Sequence, residues 1–297
     1  MTTPPGSSAQ PPPAFGEEAP GEVPDLPAGI GGTDPESPLQ YTKADVAAAI
    51  ALLEGAGGGE PELVVALTDE QIAALDGYAR RQFIAEPWLE EHPAQRHLAA
   101  GVALRALVAA EQVRLCTDES TGAQRWRAVP GIAGCLVLRR TAEQFTTAER
   151  TVRTAQGPQV HRLHYYAHPA GVLEEEVTAA GIHRFTALTP AQAGSRLSAF
   201  LDPLGVPSGG GDPVRVRASA LAEHPLARRL GATRALSVLT RVRTADGEVQ
   251  QLSAYATAQG VLAMEALDPG AEDPELEFRE VNAAELDALA KVLVSAG

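Results

Sequence analysis

The sequence is short of lysine, cysteine, aromatics and long apolar runs. Lys43 and Lys291 are its only lysines, and every other basic residue is Arg. Together with abundant Ala, this reads as the coding bias of a GC-rich genome rather than a binding device. Against 24 Lys+Arg stand 38 Asp+Glu, a formal charge of −14. That balance excludes a protein that holds nucleic acid by charge alone, which needs clustered Lys and Arg against phosphates. Cys116 and Cys135 are the only cysteines, and their spacing fits neither a zinc knuckle nor a CxxC redox pair. Two free thiols in a reducing cytoplasm are the simplest state, with a single disulfide as the alternative. The longest apolar candidate, His97 to Ala110, is cut by Arg105, so no segment is apolar enough to span a bilayer. The opening Met1-Thr-Thr-Pro-Pro-Gly-Ser-Ser has neither the basic nor the apolar region of a secretory signal. These absences predict a cytoplasmic protein.

What is present is enough for a core. The chain has 297 residues, of which 44% are hydrophobic and only 4% aromatic. Leu, Val, Ile and Ala must therefore fill the interior, at about 0.8 kcal/mol per buried CH₂. Residues 1–38 hold ten of the 23 prolines, six glycines, six acids and no base. Such a stretch cannot bury enough apolar surface to offset chain entropy and reads as a disordered acidic tail. It carries nearly half of the −14, so the remainder is only mildly acidic.

Order is expected from Thr42, where Thr42-Lys-Ala-Asp45 is an N-cap pattern for a helix ending at Gly55. After a Gly-rich break comes the apolar run Leu63 to Leu67. Thr68-Asp-Glu-Gln71 is then a capping box for a second helix carrying Ile72, Leu75 and Ala79 on one face. A third helix follows Pro93 and reaches about Glu111, with an apolar stripe of Leu98, Val102, Leu104 and Leu107. Val113 to Cys116 and Arg125 to Val129, around a turn at Asp118 to Gly122, read as a β-hairpin. This helical segment with hairpin occupies residues 42–130. Helices followed by a hairpin are also the order of a winged helix, but the third helix offers only Arg96 and Arg105 as well-placed cations.

The second half contains one unit twice. Val152-Arg-Thr-Ala-Gln-Gly157 recurs as Val242-Arg-Thr-Ala-Asp-Gly247, each between β-rich runs with Gly at the turn. Gly171-Val-Leu173 recurs as Gly260-Val-Leu262, and Phe185-x-x-Leu188 as Phe278-x-x-Val281. Each copy ends in a capping box, Thr189-Pro-Ala-Gln192 and Asn282-Ala-Ala-Glu285, before a helix with an apolar stripe. The stripes are Leu197, Phe200, Leu201 and Leu286, Leu289, Leu293. Three ordered matches ending in the same cap chemistry point to an internal duplication. The units are placed at 131–205 and 214–297, joined by the loop Pro207 to Pro213. Ser219 to Leu230 reads as a helix, with Pro225 as a kink or a boundary. The expected fold is α+β: a helical N-terminal segment plus two related antiparallel sheet–helix units in a pseudo-two-fold arrangement.

Candidate chemistry is sparse. His161, His164 and His168 would share a face on a helix, but they fall in a strand. Alternation then puts His164 and His168 on one face and His161 on the other. Two histidines without a Cys or carboxylate at ligand spacing do not make a metal site. Glu174-Glu-Glu176 offers a carboxylate pair for acid–base work, but the second unit has Ala263-Met-Glu265 there. A solvated, charge-blunted strand edge is the simpler reading. Gly181-Ile-His183 and Gly231 lack any phosphate-loop context, and there is no GxSxG elbow. Trp88 and Trp126 read as core or hairpin residues. No catalytic, cofactor-binding or metal residue is assigned, and no partner-binding residue can be named.

One resemblance joins these elements. A helical lead-in containing Leu104-Arg-Ala-Leu-Val-Ala-Ala-Glu-Gln-Val113, then two related sheet–helix units, the last closing on an apolar C-terminal helix, resembles the EspG-type chaperones of type VII (ESX) secretion in actinobacteria. The likeness covers roughly residues 60–295. It implies a cytosolic, non-catalytic adaptor that binds a helical secretion substrate and covers its apolar tips, which is helix-in-groove recognition. The alternatives are a winged-helix DNA-binding regulator with an α+β sensing half, and an enzyme of unrecognised type.

Overall fold

The computed structural model describes residues 41–296 apart from 81, 118–121, 123, 156, 207 and 208. The acidic tail at 1–38 and the hairpin turn at Asp118 therefore lie outside the described residues, as does part of the 207–213 loop.

The N-terminal part is α1 (Lys43–Gly55), β1 (Leu63–Thr68), α2 (Asp69–Asp76), α3 (Pro87–Glu91), α4 (Arg96–Ala109), the hairpin β2 (Val113–Thr117) and β3 (Gln124–Ala128), and α5 (Pro130–Thr141). The two caps read from the sequence are both formed. Thr42 Oγ1 accepts the Asp45 N–H at 3.2 Å while Asp45 accepts the Thr42 N–H at 2.8 Å. Thr68 and Gln71 do the same at the start of α2. Each reciprocal pair satisfies two donors that a helix start otherwise leaves open. α5 opens the stretch assigned to the first unit, yet it packs against α1 and belongs with the N-terminal helices. Gly134 allows this approach: a Cβ there would stand 2.7 Å from Leu52 Cδ1 and 3.0 Å from the Ala48 carbonyl.

The two units follow. The first is β4 (Gln144–Thr154), β5 (Gly157–His168), β6 (Gly171–Val177), β7 (Ile182–Leu188) and α6 (Pro190–Leu201). After β8 (Val214–Arg217), a 3₁₀ turn and α7 (Leu226–Gly231), the second is β9 (Ala235–Arg243), β10 (Val249–Thr257), β11 (Gly260–Ala266), β12 (Glu275–Val281) and α8 (Ala283–Val294). Of the two readings of Pro225, the boundary is the one seen: the stretch from Ser219 to Leu230 divides into the 3₁₀ turn and α7, with Pro225 standing just before α7.

All ten of these strands outside the β2–β3 hairpin form one antiparallel sheet, in the order β1-β7-β6-β5-β4-β9-β10-β11-β12-β8. The first strands of the two units, β4 and β9, pair from Gln144↔Arg243 to Val152↔Ala235. Outward from that seam the strands run β5, β6, β7 on one side and β10, β11, β12 on the other, each side ending in one added strand.

One face of the sheet is covered by α6 and α8, which pack on each other. Gly194 of α6 lets them close, since a Cβ there would come 3.2 Å from the Lys291 Cα. Leu197, Leu201, Leu286 and Leu293 bury against Ala148, Leu239, Ala254 and Val261 from both halves. Each such Leu contributes about 1.5–3 kcal/mol, so the seam is held by side chains of both units. On the other face the N-terminal helices cover only the first unit: Ile72, Leu104, Leu107 and Ile132 pack on Tyr166, Leu173 and Phe185. The buried stripe of α4 is Ala100, Ala103, Leu104 and Leu107, whereas Leu98 and Val102 face solvent at 70% and 59% exposure. The register that buries Leu104 and Leu107 leaves those two on the far side.

Candidate functional site

The strand histidines and carboxylates separate by face. His161 is exposed, His164 is buried and stacks on Phe145, and the half-buried His168 places Nε2 3.0 Å from the Leu138 carbonyl. His164 and His168 share a face, as the alternation requires. The Glu174–Glu176 run needs correction. It lies on β6, an interior strand between β5 and β7, and not on an edge. Glu174 and Glu175 are buried, and only Glu176 reaches solvent, near Arg184 at 3.6 Å. Glu174 is held bidentately by Arg196 at 2.6–2.9 Å.

Glu175 is the centre of a buried charge network. Its Oε2 accepts from Arg139 Nε at 2.9 Å and from the Tyr166 hydroxyl. Its Oε1 lies 2.6 Å from His183 Nδ1, and the other ring nitrogen lies 2.6 Å from Asp69 Oδ1. A ring held between two carboxylates donates from both nitrogens, which makes it an imidazolium. Burial alone would lower the His183 pKa, but the hydrogen bonds it donates to Asp69 and Glu175 raise it. Burial would raise the Glu175 pKa, and the Arg139 charge instead holds it far below the carboxylate range. Asp69 Oδ2 accepts the Trp88 and Leu89 N–H groups, and Asp76 pairs with Arg139 and Arg140. Three carboxylates thus face two guanidiniums and one imidazolium. The side chains of Asp69, Glu175 and His183 are fully buried and present no surface to solvent. The network ties α2, α5, β6 and β7 together. The sequence offered Glu174–Glu176 as carboxylates and met His183 only in the glycine segment Gly181-Ile-His183; the partners Asp69 of His183 and Arg139 of Glu175 lie 114 and 36 residues away. No local spacing could reveal them.

The accessible feature is elsewhere. In β6, and in β5 from Leu163 to Ala167, residues of both faces are buried, because helices lie on both sides. In β9 only alternate residues are buried: Ala235, Ser237 and Leu239. Leu236, Val238, Thr240 and Val242 point to the opposite face and stay partly open. Their cross-strand neighbours Tyr255, Ser253, Gln251 and Val249 on β10 are open too, as is Thr147 on β4. Solvated faces of antiparallel sheets normally alternate to polar side chains. Here Leu236, Val238, Val242, Tyr255 and Val249 interrupt that rule, and the ion pairs nearby, Glu149 with Arg162 and Arg243 with Asp246 and Glu248, lie at its margins. On the N-terminal side the patch is bounded by Phe83, half-exposed and edge-on to Phe145 at 5.1 Å. On the other side α7 touches β10. Three strands at ~4.8 Å spacing give a floor ~10–14 Å wide, which matches the ~10 Å diameter of one α-helix.

The winged-helix reading fares differently. The β2–β3 hairpin does follow α4. Arg96, however, is bound to Glu86 and to the Tyr78 and Arg80 carbonyls, and the outer face of α4 presents Leu98 and Val102 beside Arg105. Cys116 and Cys135 are both free thiols, and burial pushes the Cys135 pKa up to about 12, so it is an inert core residue. Trp88 and Trp126 both pack against the N-terminal core. Among the described residues, no three His, Cys, Asp or Glu side chains gather as a metal ion would need. No helix among them is long and apolar enough to cross a membrane. No family model and no curated protein matches the chain.

Proposed function

We propose that the protein is a non-catalytic cytosolic adaptor that holds an amphipathic helix of a secretion substrate against β4, β9 and β10, in the manner implied by the EspG-type resemblance. The observation that carries this reading is the partly open, largely apolar centre of the sheet at β9 and β10, on the face opposite α6 and α8 and beside the N-terminal helices. We read the two units as copies related by a two-fold axis through the β4–β9 seam, which the mirrored strand order supports. On that reading, the partner helix occupies over the second unit a place like the one the chain's own helices fill over the first. Leu or Ile at i, i+3 and i+4 of the partner would meet Val238, Val242 and Tyr255, the helix-in-groove mode.

The test is a photo-crosslinkable residue at Val238 and, as a control, at Leu98 on α4, in full-length protein expressed in cells that make its natural partners. Crosslinks from position 238 to one helical protein, absent from position 98, are expected. The double variant Val238→Arg, Ser253→Arg should lose that partner while its Tm moves by no more than a few degrees, because both side chains are already half-solvated. A protein that emerges uncrosslinked from position 238, or a variant that keeps its partner, overturns the assignment.

A further inference from the structure

The β4–β5 hairpin runs further than the strand beside it. β5 pairs with β4 back to Gly157, but with β6 only from Arg162, opposite Val177. Residues 158–161 therefore present a strand edge that no described strand covers on the β6 side. A groove of about 920 Å³ opens there, with Val160, Leu163, Val177 and Phe200 among its lining residues. That volume is in the range of ordinary ligand clefts.

Arg150 reaches into this groove from β4, directly across from His161. Its guanidinium lies over the Phe200 ring at 4.3 Å, and Nη1 donates to the Phe200 carbonyl at 2.8 Å. The neighbouring arginines of the groove are neutralised, Arg162 by Glu149 and Arg196 by Glu174. No carboxylate of the described residues lies within ion-pair distance of Arg150, and its Nε is buried without a hydrogen-bond partner. Across the β4–β9 ladder from Arg150, the Oγ of fully buried Ser237 also lacks a partner. A half-buried cation without a counter-charge gains from an arriving anion. Glu90, Glu91 and Glu176 also line the groove, Glu176 near Arg184 at 3.6 Å, and these carboxylates repel a second negative group.

We propose that this groove binds an extended peptide with a single acidic side chain: the peptide backbone adds to the free edge of β5, and its carboxylate pairs with Arg150. Strand addition supplies the backbone hydrogen bonds, alternate side chains meet Leu163 and Phe200, and the charge selects the register. The proposal is independent of the helix-binding face, because Arg150 and Val238 lie on opposite faces of the sheet.

The experiment titrates the full-length protein with a fluorescein-labelled heptapeptide of alternating Thr and Val bearing one central Glu, and with its Gln twin. The Glu peptide is expected to bind at least tenfold more tightly. Arg150→Gln should abolish that difference, and Arg150→Lys should restore part of it. Amide NMR shifts in the wild-type protein should concentrate at residues 157–163. If Arg150→Gln fails to fold, the peptide pair and the shift map on wild type decide the matter. Equal affinity for the twins, no binding at millimolar peptide, or shifts centred on Val238 and Ser253 would each overturn the proposal.

Discussion

His164 should act as an acid-sensitive weakness, and Phe in its place should remove it. The side chain is 4% exposed, lies nearly parallel to Phe145 at 5.8 Å, and has no hydrogen-bond partner at either ring nitrogen. Burial, helped by the nearby charges of Arg139, His183 and Arg162 and opposed by Glu175, pushes its pKa down to about 4 from 6.5. A depressed folded-state pKa means the stabilisation is complete above 6.5 and is lost as pH falls toward 4. Below 6.5 the unfolded chain takes up a proton that the folded chain refuses. Relative to pH 7, linkage puts the loss at about 2 kcal/mol at pH 5 and about 3 kcal/mol at pH 4. Phe keeps the ring on Phe145 and removes two buried, unpaired nitrogens. The assay is urea unfolding of the wild type and His164→Phe at pH 7, 5 and 4, reading the gap between the two curves. Other carboxylates and histidines titrate in both proteins and cancel. The gap should move in favour of His164→Phe by about 2 kcal/mol between pH 7 and pH 5. Parallel curves would refute the argument.

Glu175→Gln leaves Arg139 and His183 buried opposite a neutral group, so unfolding free energy should drop by about 3–5 kcal/mol in urea titrations at pH 7; a loss below 1 kcal/mol would contradict the network's role. His183 has a raised folded-state pKa, so its contribution is complete below 6.5 and is lost as pH rises through the folded value. Wild-type stability should therefore decline on the alkaline side, and His183→Gln should flatten that limb in a Tm–pH profile. Gly134→Ala places a Cβ 3.0 Å from the Ala48 backbone. The overpacking should exceed the helix-propensity gain and lower stability by a net ~1–2 kcal/mol, seen as a fall in Tm.

Much of the local structure was legible because its causes are local. Thr42, Thr68, Thr189 and Asn282 announce helix starts, since a capping box is complete within four residues. The paired Val-Arg-Thr-Ala segments announced hairpins, and the Gly-Val-Leu segments announced the strands that follow. α5 escaped notice: Pro130 at its first turn is a start signal, but no side chain caps it and its apolar residues face two neighbours at once. The α4 stripe was misread because Leu98, Val102, Leu104 and Leu107 are equally apolar, and only the packed partner decides which of them turn inward.

The candidate sites divide along the same line. Glu174 and Glu175 stood out in the sequence and His183 did not, and the meaning of all three was settled by distant parts of the chain. Asp69 comes from a helix that precedes both units, and β6 became an interior strand because β7 and β5 flank it. Neither the open face at Val238 nor the unpaired Arg150 has any linear signature. A strand residue's exposure depends on what lies above it, and a cation's freedom on where every carboxylate has gone.

By itself, then, the sequence determined most of the elements, four helix caps, the repeated order of the matched segments and the mildly acidic character of residues 39–297, all consequences of short-range periodicity and composition. Only the tertiary structure decided that the units join through β4 and β9, that α6 and α8 pack on one face, and that the other face stays partly open at β4, β9 and β10, between the N-terminal helices and α7. Those outcomes depend on contacts between residues far apart in the chain, where burial is a property of neighbours rather than of the residue.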